Sequence, residues 1–403
     1  MSSNEQNNDI EDFKTQLKII RSISRYSLGE NKMKNKMELL EALEHNNIKY
    51  SNTFVIENKY LYYIGLNYDR LIKILESYGL KKSNDPKQNH LFGIIDNKFY
   101  NSQFFLLNKF QFNESFEDKY SLYLNLKLHF PKHYYENYPN SFMLSATTSW
   151  NDINKGNETN VFIARPINSN KGEDIIKIWN EDTLNKAKKL LYNDKYVKGV
   201  SLTEYITNPL LYNGRKMHLR AYMLMTLINN EFKSYLLDVS KIFIAKQKYK
   251  NEDWNNEDIH DTHFSNSGIS YNFPDVIYEN KKNKTDNNFT PQISKKEVDI
   301  IIKNIRECIS YISRIAISNI YHYFNTKNTY EVFGIDVLVK DDLSVFIIEI
   351  NGWSTGYNSA ASIFERYFDW IHETTIKPCL FPHLETATTF GTTPIYSSKL
   401  KNY

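Results

Sequence analysis

Asp336, Glu349 and Asn351 lie in the segment 331–351, where two runs rich in β-branched residues flank a polar turn. The alternation predicts a β-hairpin that places Asp336 opposite Glu349, with Asn351 on the same face. The other face is apolar, and its predicted pairs are Ile335 with Ile350, Val337 with Ile348, and Val339 with Phe346. Opposed carboxylates repel each other unless a cation lies between them. Three oxygen ligands on rigid strands therefore suit Mg²⁺, particularly where phosphates supply the remaining ligands.

A solvent-exposed face, with Asp336 and Glu349 paired to lysines, is the alternative explanation of this hairpin. The hairpin alone does not separate the two readings. A basic strand favours the first, because alternation over 215–224 places Lys216, His218 and Arg220 on one face. Three basic positions on one strand face are costly without an anion, and phosphate or carboxylate is the natural partner.

A short strand over 161–166 ends close to a cation, Arg165, and a polar turn with Lys171 and Gly172 follows it. Such a loop can lie over phosphates, with its amides and the lysine ammonium meeting the negative charge. An ordinary hairpin turn is the alternative, since a strand and loop with one glycine is common.

A long helix must pack behind these strands. Ser294 and Glu297 form a capping-box pattern, and apolar residues recur behind them at steps of three and four. This stripe predicts a core-facing helix, in which Cys308 is an inert filler rather than a nucleophile. The stripe consists of Val298, Ile301, Ile302, Ile305, Cys308, Ile309, Ile312 and Ile315.

The composition excludes several classes of protein. The chain has 403 residues, which predicts two or three domains, and its net charge is only +3. Its lysines are interleaved with acidic residues, so no nucleic-acid partner is expected. Two cysteines make neither a disulfide framework nor a cysteine-based zinc site. With no signal peptide and no apolar run long enough for a membrane span, we expect a cytoplasmic protein without a membrane partner.

Six segments resemble, in the same order along the chain, the motifs of the tubulin–tyrosine ligase-like family of ATP-grasp ligases. They cover about two thirds of the chain, from residue 116 to 381, and leave the first hundred residues unmatched. The segments are 116–126 with Lys119; 138–144; 163–172 with Arg165, Lys171 and Gly172; 202–220 with Glu204, Tyr205, Ile206, Lys216 and Arg220; 263–266 with His263 and Asn266; and 333–351 with Asp336, Glu349 and Asn351.

The resemblance implies an α+β protein with an ATP-grasp fold, in which two α+β subdomains clasp ATP behind a smaller N-terminal α/β domain. The implied domains are 1–115, of unassigned role; 116–200, the central subdomain; 201–384, the C-terminal subdomain with the magnesium site; and 385–403, a tail. The tail is rich in Thr and Ser, which predicts loose attachment.

The resemblance also implies an activity. A substrate carboxylate attacks the γ-phosphate of ATP to form an acylphosphate, and an amine then displaces phosphate to give an amide. The implied partners are a free amino acid and a protein acceptor, for which tubulin is the candidate. We expect the enzyme to be a monomer that uses ATP and Mg²⁺.

Roles for single residues follow from the resemblance as well. Asp336, Glu349 and Asn351 would hold magnesium, with Glu349 also essential for catalysis, and Arg220 would hold the transferred phosphoryl or acylphosphate oxygens. The remaining implied contacts are Lys119, Arg165, Lys171 and Gly172 to the α- and β-phosphates, Glu204, Tyr205 and Ile206 to adenine through their backbone, Lys216 to the nucleotide, and His263 and Asn266 to the loop near the triphosphate.

Several positions depart from the family pattern. Arg165 and His218 stand where the family has Lys and Asp. Glu204 stands where the family has a lysine, directly before Tyr205 in the segment that would contact adenine. The arginine expected after the Asn229 turn has no match, although Lys241 or Lys246 could substitute. A catalytically degenerate nucleotide-binding module that binds tubulin or another protein is therefore the alternative. The complete set of magnesium ligands favours the ligase, because unpaired buried carboxylates are expensive to retain.

Two further readings are less favoured. His260, Asp261 and His263 could ligate zinc, but no further strong ligand is nearby. The many aromatic residues could stack on nucleic-acid bases, but no basic stripe accompanies them. Packing in the core and at interfaces explains these rings better.

Overall fold

The computed structural model describes the chain from residue 61 to 399 with gaps. The described residues are 61–64, 72–73, 75–76, 80–83, 90–94, 104–107, 110, 114–153, 161–167, 174–196, 198–237, 240–251, 253–262, 272–273, 293–320, 328–352, 370–376, 379 and 394–399. The sequence also shows a short helical pattern over residues 34–46, and the helix that it predicts lies outside these ranges. No helix within them is both long and apolar enough to cross a membrane.

The described residues form an α+β structure with two sheets. The strands are β1 (Leu61–Ile64), β2 (Lys81–Lys82), β3 (His90–Ile94), β4 (Phe104–Leu107), β5 (Ser141–Met143), β6 (Phe162–Pro166), β7 (Ile176–Ile178), β8 (Val200–Glu204), β9 (Leu211–Tyr212), β10 (Arg215–Ile228), β11 (Glu231–Leu236), β12 (Ser240–Ile244), β13 (Asn272–Phe273), β14 (Asn328–Val339), β15 (Val345–Asn351) and β16 (Tyr396–Lys399).

The helices surround and connect these sheets. They are α1 (Glu114–Glu117), α2 (Lys119–His129), α3 (Pro131–Asn137), α4 (Trp150–Ile153), α5 (Glu181–Lys188), α6 (Glu257–His260) and α7 (Lys295–Ile320), with 3₁₀ turns at Lys189–Tyr192 and Asp194–Tyr196 and a π-helical turn at His372–Ile376.

The larger sheet has the strand order β13-β12-β10-β14-β4-β3-β1-β2, with β15 also paired to β14, and with β9 and β11 paired to β10. Its centre is antiparallel, whereas β1, β3 and β4 pair in parallel. β4 joins β14 through the pairs Asn328–Leu106 and Thr329–Leu107. The sheet is thus continuous across residue 115, and the domain division expected there stays a prediction.

The hairpin of β14 and β15 forms as expected at one end and differs at the other. Ile335 pairs with Ile350 and Asp336 with Glu349, as the alternation predicts. Beyond Asp336 the register shifts, so that Val337 pairs with Ile347 and Val339 with Val345. The predicted partners Ile348 and Phe346 were wrong, because a β-bulge inserts one extra residue into β15.

The smaller sheet has the order β5-β8-β6-β7 and is antiparallel throughout. Phe162, Ala164, Val200 and Leu202 are fully buried against Leu184 and other residues around α5. The opposite face of β6 carries Ile163 and Arg165, so the alternation of this strand directs Arg165 away from the small core.

Helix α7 packs on the larger sheet and supplies its core, as the apolar stripe predicts. The capping box is present: the Ser294 amide donates to Glu297 Oε2 at 2.5 Å, and the Glu297 amide donates to Ser294 Oγ at 3.3 Å. Cys308 is 2% exposed within this core. Burial raises the pKa of its thiol to about 12, which is consistent with an inert filler.

The C-terminal segment corrects the expected loose tail. β16 pairs with β11 through four residue pairs, and the Ile395 amide donates to Ser234 O at 2.8 Å. Tyr396 also packs edge-on against buried Phe232. Ser and Thr favour the surface but do not prevent a strand at a sheet edge, so residues 395–399 are part of the fold.

Candidate active site

Strand β10 positions the basic residues as the alternation predicts. Met217 and Leu219 lie in the core, and His218 and Arg220 occupy the opposite face. β10 pairs with β14 so that Arg220 lies directly across from Asp336. Cross-strand partners share a face, so this register brings a cation and a carboxylate together.

The two carboxylates are each matched by a cation. Asp336 is 1% exposed, and both of its oxygens accept from Arg220: Nη2 lies 2.8 Å from Oδ2, and Nε bonds Oδ1. The ammonium of Lys119 lies 3.4 Å from Glu349 Oε2. A solvated face does not explain this hairpin, because Asp336 is buried, Glu349 is mostly covered, and the repulsion between them is offset by these two cations.

Asn351 joins the two carboxylates. Its amide nitrogen donates to Glu349 Oε1 at 3.0 Å and faces Asp336 Oδ2 at 3.4 Å. An asparagine ligates metals through its oxygen, so service as a magnesium ligand requires a rotation of this amide.

The charge of Glu349 is secured by its neighbours. Burial would raise the pKa of this carboxyl, but the charge of Lys119, the Asn351 amide and the charge of Arg165 outweigh burial and lower its pKa to about 2. Glu349 is therefore ionised throughout the neutral range. A carboxylate that is already deprotonated can bind a cation without releasing a proton.

Arg165 is a buried cation with unused hydrogen-bonding capacity. It is 6% exposed, and its Nη2 lies 3.5 Å from both Tyr123 Oη and Thr203 Oγ1. Within the described part of the chain its Nε has no hydrogen-bond partner. A buried guanidinium with a spare donor fits an anion such as phosphate.

Tyr123 belongs to the site, although sequence reasoning missed it. It lies four residues after Lys119 on α2, so both side chains are on one helix face. Its hydroxyl lies 3.4 Å and 3.3 Å from the carbonyl oxygens of Ile347 and Ile348, at the bulge of β15. The helical spacing from Lys119 was the signal that could have identified it.

The segment after β8 holds the predicted adenine contacts. The Glu204 amide donates to Asn140 O at 2.9 Å, and the Tyr205 amide donates to Val161 O at 2.8 Å. These two amides are committed to the protein, so the carbonyl groups and the backbone of Ile206 are the groups to consider for a base. Lys216 Nζ donates to Tyr205 Oη at 2.8 Å, which links β10 to this segment.

His218 faces the carboxylate centre. It is 3% exposed, its ring stacks on Phe243 at 4.8 Å, and its Nδ1 lies 2.5 Å from Thr262 Oγ1. Its Nε2 lies 3.7 Å from Asp336 Oδ1. The departure from the family pattern at this position therefore adjoins the proposed metal site directly.

Lys241 is the better candidate for the missing arginine. It pairs across from Arg220 in the β10–β12 ladder, and burial, followed by the charge of Arg220, lowers the pKa of its ammonium. Lys246 lies at the surface and pairs with Asp258 at 3.3 Å. Of the two candidates, Lys241 therefore adjoins Arg220, and Lys246 does not.

The other predicted residues lie outside the described ranges. These are Lys171 and Gly172 of the expected phosphate-covering loop, and His263 and Asn266. Their roles stay predictions.

Comparison with known proteins identifies the family of the chain. The model of the tubulin-tyrosine ligase family matches residues 98–382, well over half of the chain. The chain belongs to this family. The match includes every element that supplies the carboxylate centre: α2, β6, β10, β14 and β15.

Individual relatives are more distant. A protein named "Probable tubulin--tyrosine ligase" from Schizosaccharomyces pombe is 29% identical over 196 residues, covering 46% of this chain and 45% of the relative. "Probable tubulin polyglutamylase TTLL2" is 25% identical over 203 residues in Homo sapiens, covering 49% and 31%, and 26% identical over 218 residues in Mus musculus, covering 52% and 36%. The chain spans less than half the length of these relatives.

Proposed function

We propose that this protein is an ATP- and magnesium-dependent ligase of ATP-grasp fold that joins an amino acid to a protein carboxylate through an acylphosphate. The observation that carries the proposal is the enclosed centre in which Asp336 and Glu349 meet Arg220 and Lys119. A family member that had lost phosphoryl transfer would have little reason to keep such a centre, because buried charges are expensive.

The residues present fit both ATP and magnesium. Two carboxylates and a carboxamide form an oxygen donor set of the kind Mg²⁺ prefers, and the unmatched Nε of Arg165 fits a phosphate oxygen. When bound, ATP supplies the phosphoryl group that activates the carboxylate, and magnesium neutralises phosphate charge.

The side chains of this protein would bind and orient the reactants. Lys119 and Arg165 meet the phosphates, which requires Lys119 to leave Glu349. Arg220 is directed by β10 to the same face as Asp336, where it can hold negative charge that develops during transfer. Catalysis then rests on positioning and charge neutralisation rather than on a covalent nucleophile of the protein.

Tubulin is the acceptor we propose, because the relatives named above are described as tubulin-modifying enzymes. The reaction would join a free amino acid to the acceptor. His218 and Lys241, which replace residues of the family pattern, adjoin the carboxylate centre and bear on which amino acid enters.

Mass spectrometry of purified tubulin tests this proposal. Tubulin is incubated with the protein, Mg-ATP and all twenty amino acids, with the Glu349→Gln variant in parallel. We expect a mass increment that requires the wild-type protein and identifies the amino acid and its site. No increment, together with no magnesium-dependent ATP consumption in a whole-cell extract, would favour the degenerate nucleotide-binding module instead.

A further inference from the structure

A chain of three hydrogen bonds leads from α6 to the basic face of β10. His260 Nε2 lies 3.0 Å from the carbonyl oxygen of Asp253, and His260 Nδ1 lies 2.8 Å from Tyr205 Oη. Tyr205 Oη in turn accepts from Lys216 Nζ at 2.8 Å. His260 and Tyr205 are 5% and 2% exposed, so the chain is enclosed by protein.

The chemistry of the end groups fixes the direction of each bond. A backbone carbonyl only accepts, so the proton of the His260 ring is on Nε2 and Nδ1 is the acceptor. The Tyr205 hydroxyl must therefore donate to Nδ1. Its oxygen is then turned to accept from Lys216, which as an ammonium can only donate.

Packing holds the histidine ring in this position. Trp254 stacks on His260 with ring centroids 5.1 Å apart, and Tyr205 meets Trp254 edge-on at 5.2 Å. Lys177 of β7 donates to the carbonyl oxygen of Trp254 at 2.8 Å, which ties this cluster to the smaller sheet. Burial, then the charges of Lys177 and Lys216, lower the pKa of His260 to about 4, so its ring is neutral as the bonding requires.

Lys216 has little compensating charge around it. Lys177 on β7 opposes its ammonium and Asp261 beyond α6 favours it, while Tyr205, which accepts its hydrogen bond, contacts both His260 and Tyr249. Burial, then Lys177, lower the pKa of Lys216 to about 7. Its charge is therefore sensitive to any change in the hydrogen bond that it donates to Tyr205.

We propose that His260 is a positioning residue: by fixing the Tyr205 hydroxyl, it holds the Lys216 ammonium beside the segment 204–206. This rests on the proposed function for its consequence, which is that His260 sets the affinity for the nucleotide whose base would bind there. His260 itself need not touch the nucleotide.

The sign of the pH dependence follows from the lysine. Its ammonium is present below about pH 7 and is lost as the pH rises through that value. A nucleotide that accepts a hydrogen bond from the ammonium binds more tightly at pH 6 than at pH 8, and its binding takes up a proton near pH 7. Removal of the oriented Tyr205 acceptor lowers the pKa of Lys216 and moves this transition to lower pH.

Two measurements on the full chain test the proposal. Competitive acetylation followed by peptide mass spectrometry gives the pH midpoint of Lys216 without nucleotide, and calorimetry gives the ATP affinity between pH 6 and 8. The variants are His260→Leu, which breaks the chain, and His260→Gln, which can both donate and accept. His133→Leu is the matched control, because His133 is a second buried histidine with a pKa lowered to about 4, and it stacks on Tyr311 at 3.8 Å.

We expect His260→Leu to lower the Lys216 midpoint and to weaken ATP binding at pH 7 by about 3- to 10-fold, the range for one lost hydrogen bond. His260→Gln should recover both, and His133→Leu should change neither. An unchanged Lys216 midpoint in His260→Leu would overturn the proposal. A shifted midpoint in a protein that binds no ATP would uphold the positioning role of His260 and overturn the nucleotide site instead.

Discussion

Strand β10 carries two half-buried cations, Lys216 and Arg220, on one face, and their surroundings shift the two pKa values in opposite directions. Arg220 is paired with Asp336, and the attraction of that carboxylate outweighs burial and raises its pKa. Lys216, four residues earlier, donates to the hydroxyl of Tyr205, and burial lowers its pKa to about 7. Glu349, whose pKa is lowered to about 2, and Arg220 therefore keep their charges at neutral pH, whereas Lys216 titrates close to neutral pH.

The largest effect should come from removing one charge of the paired centre. Glu349→Gln leaves the shape of the side chain but deletes a proposed magnesium ligand and the partner of Lys119. We expect product formation to fall by about a thousandfold, with the fold retained. The product is measured by mass spectrometry on tubulin. Asp341→Asn, at the exposed turn of the same hairpin, is the control, and equal activity of the two variants would refute the site assignment.

Arg220→Ala tests whether the ion pair with Arg220 offsets the free-energy cost of burying Asp336. Asp336 would remain buried without its bidentate partner, and we expect a loss of about 3–5 kcal/mol in the free energy of unfolding, together with loss of turnover. Denaturant titration measures the loss in the free energy of unfolding. Adding Asp336→Asn to this variant should restore most of the stability but no activity. If Arg220→Ala alone were as stable as the wild type, the ion pair would not be needed for stability.

Lys241→Met against Lys246→Met separates the two candidates for the missing arginine. Lys241 lies across from Arg220, whereas Lys246 is paired with Asp258 at the surface. We expect turnover to fall by about 10- to 100-fold in the first variant and to change by less than twofold in the second. Comparable losses in both would mean that Lys241 has no special place in the reaction.

As the pH falls, His260, which bonds Tyr205, should be protonated before Glu349 of the carboxylate centre. His260 and His133 have folded-state pKa values of about 4, so between pH 6.5 and 4 the unfolded chain binds more protons at these residues. Stability therefore falls as the pH drops through this window, by about 2 kcal/mol for each histidine. Denaturation midpoints at pH 6.5 and 4.5 measure the loss, which His133→Leu and His260→Leu should each reduce.

The contrast between the two sites also marks what the sequence could predict. Alternation along β10 placed Lys216, His218 and Arg220 on one face, because a strand repeats every two residues. Alternation along β14 and β15 separately placed Asp336 opposite Glu349, whereas the pairing of β10 with β14 was not predicted. The same rule failed past Asp336, because a period of two identifies faces but does not locate a bulge. The missed strand β16 has a similar cause, since edge strands accept the polar residues that are typical of tails.

The chain of hydrogen bonds that joins Lys216, Tyr205 and His260 could not be predicted from local sequence pattern. Lys216 lies on β10, Tyr205 directly follows β8 and His260 ends α6, and no periodicity connects them. His260 resembled a metal ligand in the sequence, but both of its ring nitrogens are engaged by Asp253 and Tyr205. Likewise, the contact between Lys119 and Glu349 joins distant parts of the chain. Such contacts depend on tertiary packing, so the site was predicted as a set of residue types and not as a network.

The join between β4 and β14 has a consequence for any shortened version of the protein. β4 covers Asn328 and Thr329, and the Phe110 amide donates to buried Glu331 at 2.9 Å, all on the strand that carries Asp336. Cutting the chain after residue 113 would expose backbone groups there and take a donor from an enclosed carboxylate. A fragment that begins at the first ligase motif should therefore aggregate and be cleaved by proteases more readily than the full chain. The N-terminal strands thus protect the edge of the sheet that carries Asp336.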